Sequence, residues 1–211
     1  MCRYLVCVSN KHEWEAKIVK KILATFGLMI VFLIGFVFGP CANIAFAQSY
    51  RWTHPNDIKV YIPPKHRHTP MMRRAFAEWT RKTNGRIVFK YVSSKTSADI
   101  EVRYFDKIRY CGETHNAIGC TVARGGSCTK DVCRFVHAYI DIADETVNGR
   151  ELTTKVEIYS TMLHEIGHAI GLGHNETNTL SIMSVSPYRS ILKQEIIKDD
   201  LKALAKLYNW R

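Results

Sequence analysis

Three histidines, a glutamate and a glycine stand at fixed intervals in HEIGHAIGLGH, which runs from His164 to His174. Four residues along a helix turn through about 400°, so His164 and His168 project about 40° apart on one face and one turn apart in height. Both imidazoles can then converge on one divalent cation. Glu165 lies roughly 100° round the same helix, able to reach a water on that cation without itself being a ligand. Three residues after His168, Gly171 is free to adopt positive φ, end the helix and turn the chain so that His174 approaches from another side. Three neutral imidazoles leave zinc one open tetrahedral position, the mark of a catalytic rather than a structural site. HExxH alone arises in roughly one shuffled chain of this composition in fifty, whereas the five-residue pattern needs on the order of twenty thousand. The long form is therefore the one that carries weight.

A helix from about Thr154 to Ile170 must hold this motif, and the surrounding pattern supplies the packing for it. A strand at Ile58 to Ile62 is closed by Pro63 and Pro64, and Thr69 before Pro70 marks a helix start, a cap residue ahead of a first-turn proline. In that helix, Pro70 to about Thr83, Met72, Ala75, Phe76 and Trp79 recur at three- and four-residue intervals and form one apolar face, while Asn84 and Gly85 end it. Strands are expected at Arg86 to Tyr91, Asp99 to Phe105 and Ala138 to Ile142. A last helix, about Gln194 to Tyr208, aligns Ile197, Leu201, Leu204 and Tyr208. Strands interleaved with a few helices make an α+β, or mixed α/β, domain.

With the motif and the SIM triplet at Ser181 to Met183, the chain resembles the metzincin clan of zinc peptidases and, within it, the matrixin family. AFAEW at Ala75 to Trp79, ADIEVRYF at Ala98 to Phe105 and KDDLKALAKLY at Lys198 to Tyr208 are similar to that family's first helix, third strand and closing helix. The resemblance implies a zincin fold, with a twisted, mostly parallel sheet, an active-site helix and a C-terminal helix. It implies one catalytic Zn2+ on His164, His168 and His174, with Met183 beneath them as an apolar floor and Gly171 at the turn. Hydrolysis of peptide bonds in protein substrates would follow, with Glu165 assisting attack by zinc-bound water. Pro187 and Tyr188 are similar to the segment walling the family's main specificity pocket, and either Asp199 or Asp200 is expected to brace the methionine turn. Val185 stands where tyrosine-ligated members of the clan have their fifth ligand, so no tyrosine ligand is expected. The family's structural zinc and calcium sites use a His/Asp-rich stretch; here a cysteine segment stands in that place, and disulfides are expected to replace those ions.

That segment holds Cys111, Cys120, Cys128 and Cys133, an even number within 23 positions. In an oxidising compartment these read as two disulfides, with three pairings possible, and a four-cysteine metal site as the alternative. Gly112, Gly119, Gly125 and Gly126 suggest that the segment is mostly loop, with a short strand at Ala117 to Val122 as the edge along which an extended substrate adds.

The apolar run at residues 22–39, preceded by Lys17, Lys20 and Lys21 and followed by AFA at Ala45 to Ala47, has the layout of a secretory signal peptide or an N-terminal membrane anchor. Cleavage after Ala47 leaves residues 48–211 as the catalytic domain, secreted or periplasmic, with only about ten residues before the first strand and so no room for a propeptide that blocks the metal. The 211 residues carry net charge +11; removing residues 1–47 takes away five basic and two acidic residues and leaves 25 and 17, a net +8. The basic run at Lys65 to Arg74 reads as a solvated helix face, because no aromatic-interleaved nucleic-acid motif accompanies it. His66 and His68 read as surface histidines, with no Asp or Cys nearby in sequence to complete a ligand set. Protein or peptide substrates and a monomer are expected, with no nucleic-acid partner and membrane contact only through residues 22–39. Two rivals stand beside this reading: a metal-containing protein that holds anionic polymers on its basic surface without catalysis, and a membrane-tethered interaction protein.

Overall fold

A computed structural model describes residues 3–7, 49–112, 114–129, 132–145, 155–184 and 195–210. The apolar run at 22–39, Val185, Pro187 and Tyr188 lie outside the described residues. Nine strands and three α-helices are described: β1 (Arg3–Cys7), β2 (Ser49–Arg51), β3 (Ile58–Tyr61), α1 (Thr69–Lys82), β4 (Phe89–Tyr91), β5 (Ile100–Phe105), β6 (Ile108–Cys111), β7 (Thr114–Ala117), β8 (Gly119–Thr129), β9 (Val132–Ala143), α2 (Lys155–Ala169) and α3 (Lys198–Tyr208).

The main sheet runs β1-β8-β9-β5-β3-β4, with β2 also on β9. From β9 through β5 and β3 to β4 every pairing is parallel, while β8 is antiparallel to β9. The mostly parallel sheet agrees with what the resemblance implied, while the antiparallel margin formed by β8 and β1 is an addition to it. Ile100 and Val102 on β5, and Ala138, Ile140 and Ile142 on β9, are buried at alternate positions, the period of a pleated strand with one face on the core. Helix α1 contributes Met72, Ala75, Phe76 and Trp79, all wholly buried. Helix α2 is buried around most of its circumference, with Ile158, Met162, Leu163, Ile166 and Ala169 in the same cluster. Polar residues on such a helix must therefore be held by specific partners.

Three expectations need correction. The cysteine segment is not mostly loop: β8 and β9 form a long antiparallel hairpin, and β6 and β7 a second one. Gly119, Gly125 and Gly126 are there for packing: a Cβ on Gly125, for one, would collide with the Tyr50 ring, and the register shifts on either side of Gly125 absorb the irregularity as bulges. Thr69 does not cap α1, because its hydroxyl donates to the Pro63 carbonyl at 2.5 Å and the N-cap is His68. Helix α3 starts at Lys198, where the Asp200 carboxylate accepts from the Ile197 N–H at 2.9 Å; Glu195, just upstream, instead bridges to Ser181. At the end of α1, Asn84 and Gly85 both have positive φ, as expected.

The sulfurs pair Cys111 with Cys120 and Cys128 with Cys133. The first bond ties β6 to β8, and the second closes the far end of the β8–β9 hairpin.

Candidate metal centre

The turn after α2 decides where His174 goes. Gly171 has φ 102°, the Gly171 N–H reaches the His168 carbonyl at 2.9 Å and the Leu172 N–H reaches the Gly167 carbonyl at 2.9 Å. This paired return is a Schellman ending, which needs a residue tolerant of left-handed backbone at that position. A Cβ there would also strike the Tyr50 carbonyl on β2. The freed carbonyls at the helix end find side-chain donors, Trp52 Nε1 on Ala169 at 2.8 Å and the Tyr208 hydroxyl on Ile170 at 3.0 Å. Burial raises the Tyr208 phenol far above its usual range, so it remains a donor. Trp79 Nε1 donates to the Leu163 carbonyl at 2.9 Å from the other side.

His164, His168 and His174 come together as the sequence implied. Their ring centroids lie 4.5, 4.7 and 5.4 Å apart, and the Nε2 atoms of His164 and His174 lie 2.9 and 3.2 Å from that of His168. The other ring nitrogens fix the tautomers. His164 Nδ1 faces the Ile182 carbonyl at 2.6 Å and His168 Nδ1 faces the Leu172 carbonyl at 2.8 Å. A carbonyl only accepts, so both protons sit on Nδ1 and both Nε2 atoms present lone pairs. Two lone pairs at 2.9 Å repel and cannot hydrogen-bond to each other. A cation between them resolves the conflict, and neutral imidazoles with Nδ1 donated to carbonyls are the form that ligates zinc. Among the described residues, no other three ligand atoms from His, Cys, Asp or Glu gather within 4.8 Å of one another.

Met183 is 1% exposed, and its sulfur packs so closely on α2 that a Cβ at Gly167 would overlap it. Gly167 lies between the two helical histidines, so the methionine side chain packs against that turn of the helix. The Ser181 hydroxyl accepts from the Met183 N–H at 2.9 Å and donates to Asp200 Oδ1 at 2.5 Å. The brace is therefore Asp200, which is buried, and not Asp199, which is exposed. Burial raises the Asp200 carboxyl above its ordinary value, offset in part by Ser181 and by the backbone N–H groups of Ile197 and Ile182. The Asn175 N–H reaches the Met183 carbonyl at 2.8 Å, which ties the third histidine's neighbour to the same turn.

Glu165 is wholly buried beside the triad. Its carboxylate is met from β8 by Thr121 Oγ1, 2.7 Å from Oε2, and by the backbone of Gly119, where a Cβ would lie 2.6 Å from Oε1. Gly119 and Thr121 fall within the short edge strand expected at Ala117 to Val122, but nothing in the sequence linked them to Glu165, because strand pairing brings them to the helix from some 44 residues away. Gly167 was visible only as an unassigned position inside the histidine motif. The disulfides occupy the cysteine segment, and His137 there points Nδ1 at the Ala98 carbonyl at 3.1 Å, not at a metal. His66 and His68 do gain an acidic partner: Asp144 lies 3.3 Å from His66 Nε2 and 3.1 Å from His68 Nε2.

The sequence model of the matrixin peptidases matches residues 48–209. Metalloendoproteinase 1 of Glycine max is 28% identical over 64% of this chain and 43% of its own length. Metalloendoproteinase 5-MMP of Arabidopsis thaliana is 28% identical over 75% of this chain and 45% of its own length. The chain thus spans less than half the length of these curated relatives. Among solved structures, myroilysin gives a TM-score of 0.46 at 13% identity, over 81% of this chain and 94% of that one.

Proposed function

The chain belongs to the matrixin family of peptidases, and from that premise we propose that it is an exported, zinc-dependent endopeptidase acting on protein substrates. The observation that supports this most directly is the convergence of three histidine Nε2 atoms, two with tautomers set by carbonyl partners, next to the buried Glu165. His164, His168 and His174 would hold the zinc, which when bound supplies Lewis acidity that polarises a peptide carbonyl and acidifies a water. Glu165 takes the proton from the attacking water and hands it to the departing amine. Met183 and Gly171 hold the histidines in register, and the family resemblance assigns the specificity pocket to Pro187 and Tyr188, which lie outside the described residues.

The edge of β8 is the substrate's place in this proposal. Arg3–Cys7 already pairs antiparallel there, with Cys7 opposite Cys120, so the edge accepts an extended chain. The next residue along β8 is Gly119, whose backbone abuts Glu165. Cleavage of the leader after Ala47 would leave this edge open to substrate, and the two disulfides suit the oxidising compartment to which that leader directs the protein.

The test is proteolysis of an unstructured protein such as casein by the purified chain. Cleavage is expected to stop with chelator and return with added zinc, and the exported form should begin at Gln48. Glu165→Ala should keep one zinc per chain and lose cleavage by at least about a hundredfold. A variant as active as the parent, or folded protein without stoichiometric metal, refutes the proposal.

A further inference from the structure

Gly119 and Thr121 are two apart on β8 and so point to one face of the strand, the face against which α2 packs. Thr121 is 1% exposed. Its Oγ1 lies 2.7 Å from Glu165 Oε2 and 2.9 Å from the Glu165 backbone carbonyl. A threonine hydroxyl has one proton to give, and of these two acceptors the carboxylate is the stronger. The hydroxyl therefore holds Oε2, which fixes the carboxylate's rotation and leaves Oε1 on the side of Gly119. There a Cβ would fall 2.6 Å from Oε1, 2.7 Å from Glu165 Cγ and 2.7 Å from Thr161 Cγ2, so only glycine lets the strand come this close.

We propose that Thr121 is a positioning residue for Glu165: its hydroxyl occupies one carboxylate oxygen so that the other, Oε1, is the one presented for proton transfer, with Gly119 keeping that oxygen clear. This rests on the peptidase reading above, in which Glu165 moves the proton. A carboxylate free to rotate would spend part of its time misaligned, and misplacement of about 1 Å at a reacting group costs rates on the order of a hundredfold. Substrate binding along the strand edge does not involve the hydroxyl, so the effect belongs in kcat.

Thr121→Ser and Thr121→Ala both lose the methyl group and differ only in the hydroxyl, so the pair separates positioning from packing. In the exported form that begins at Gln48, loaded with zinc, the Ser variant should cleave casein within about threefold of the parent. The Ala variant should lose about 10- to 100-fold in kcat, with KM changed less than about twofold and one zinc retained. Thr121→Val, which keeps the shape, should behave like Ala. Crystal structures of the metal-free variants provide a readout besides activity: Glu165 should keep its orientation in Ser and turn or split between rotamers in Ala. Equal kcat in the Ser and Ala variants, or equal loss in both, overturns the proposal, as does an unmoved Glu165 carboxylate in Ala. If the parent itself proves inactive the peptidase reading fails, and the Glu165 orientation still judges Thr121.

Discussion

Gly167 shows how a single residue can be fixed by two competing magnitudes. Inside a helix, alanine is favoured over glycine by about 0.8–1.0 kcal/mol, so on propensity alone Gly167→Ala would stabilise α2. Its Cβ, however, would overlap the Met183 sulfur and lie 3.1 Å from Met183 Cε and 3.2 Å from the buried Trp79 ring. Met183 cannot retreat easily, because its N–H is held by Ser181 and its carbonyl by Asn175. Overpacking of this kind costs about 1–3 kcal/mol, more than the propensity gain. Gly167→Ala is therefore expected to lower stability by about 1 kcal/mol net, read as a fall in Tm of a few degrees. It should also weaken zinc binding in a competitive chelator titration, since the displaced side chain packs against the turn that carries the helical histidines. A variant with raised Tm would show that the methionine turn is softer than its hydrogen bonds suggest.

Elements read from sequence succeeded where the determinants were local. Helix α1 came through within a residue at either end, because its apolar spacing and its Asn84–Gly85 stop lie within one short stretch. The histidine motif was legible for the same reason, one helix and one turn carrying all three rings. The β8–β9 hairpin was not, because Gly125 answers to a tyrosine on β2, 75 positions away, and because Cys128 and Cys133 pair only once the hairpin has closed. The two disulfides should be unequal. Closing the Cys111–Cys120 loop, 9 residues apart in sequence, is worth about 2.7 kcal/mol in the chain-entropy account, and the Cys128–Cys133 loop, 5 apart, about 2.2. Packing widens the gap, since Cys111 and Cys120 are both buried whereas Cys128 is exposed. The Cys111→Ala/Cys120→Ala pair of substitutions should therefore shift the urea midpoint further than Cys128→Ala/Cys133→Ala, and the reverse order would mean that the β6–β7 hairpin is held by its other contacts.

At the scale of the whole molecule, the chain before α1 is pinned to the end of β9 by charge and by stacking. His66 and His68 flank the Asp144 carboxylate, Arg67 lies 3.5 Å from it, and Tyr104, whose phenol burial pushes up to about 12, stacks on His66 with centroids 3.8 Å apart. No sequence pattern links position 68 to position 144; only the strand order makes them neighbours. Burial lowers the His68 pKa, and Arg67 and His66 push the same way, while Asp144 offsets part of it. Burial likewise lowers His137. For a base depressed in the native state the unfolded chain takes up the proton first, so stability is full above the ordinary value of 6.5 and is lost as pH falls from there toward the native value. The buried carboxyls Asp141 and Asp200 are shifted upward, so they act in the opposite sense, over a window that opens at 3.8. Unfolding free energy of the chelated protein should therefore decline on acidification just below pH 6.5, by no more than about 1.4 kcal/mol per pH unit for each histidine. His68→Gln keeps a donor for Asp144 but cannot titrate. Because the metal-site histidines contribute equally to parent and variant, the difference between their urea-derived stabilities at pH 7.5 and 5.5 isolates His68. The variant should lose less stability on acidification than the parent, and an equal loss would place the acid sensitivity elsewhere in the fold.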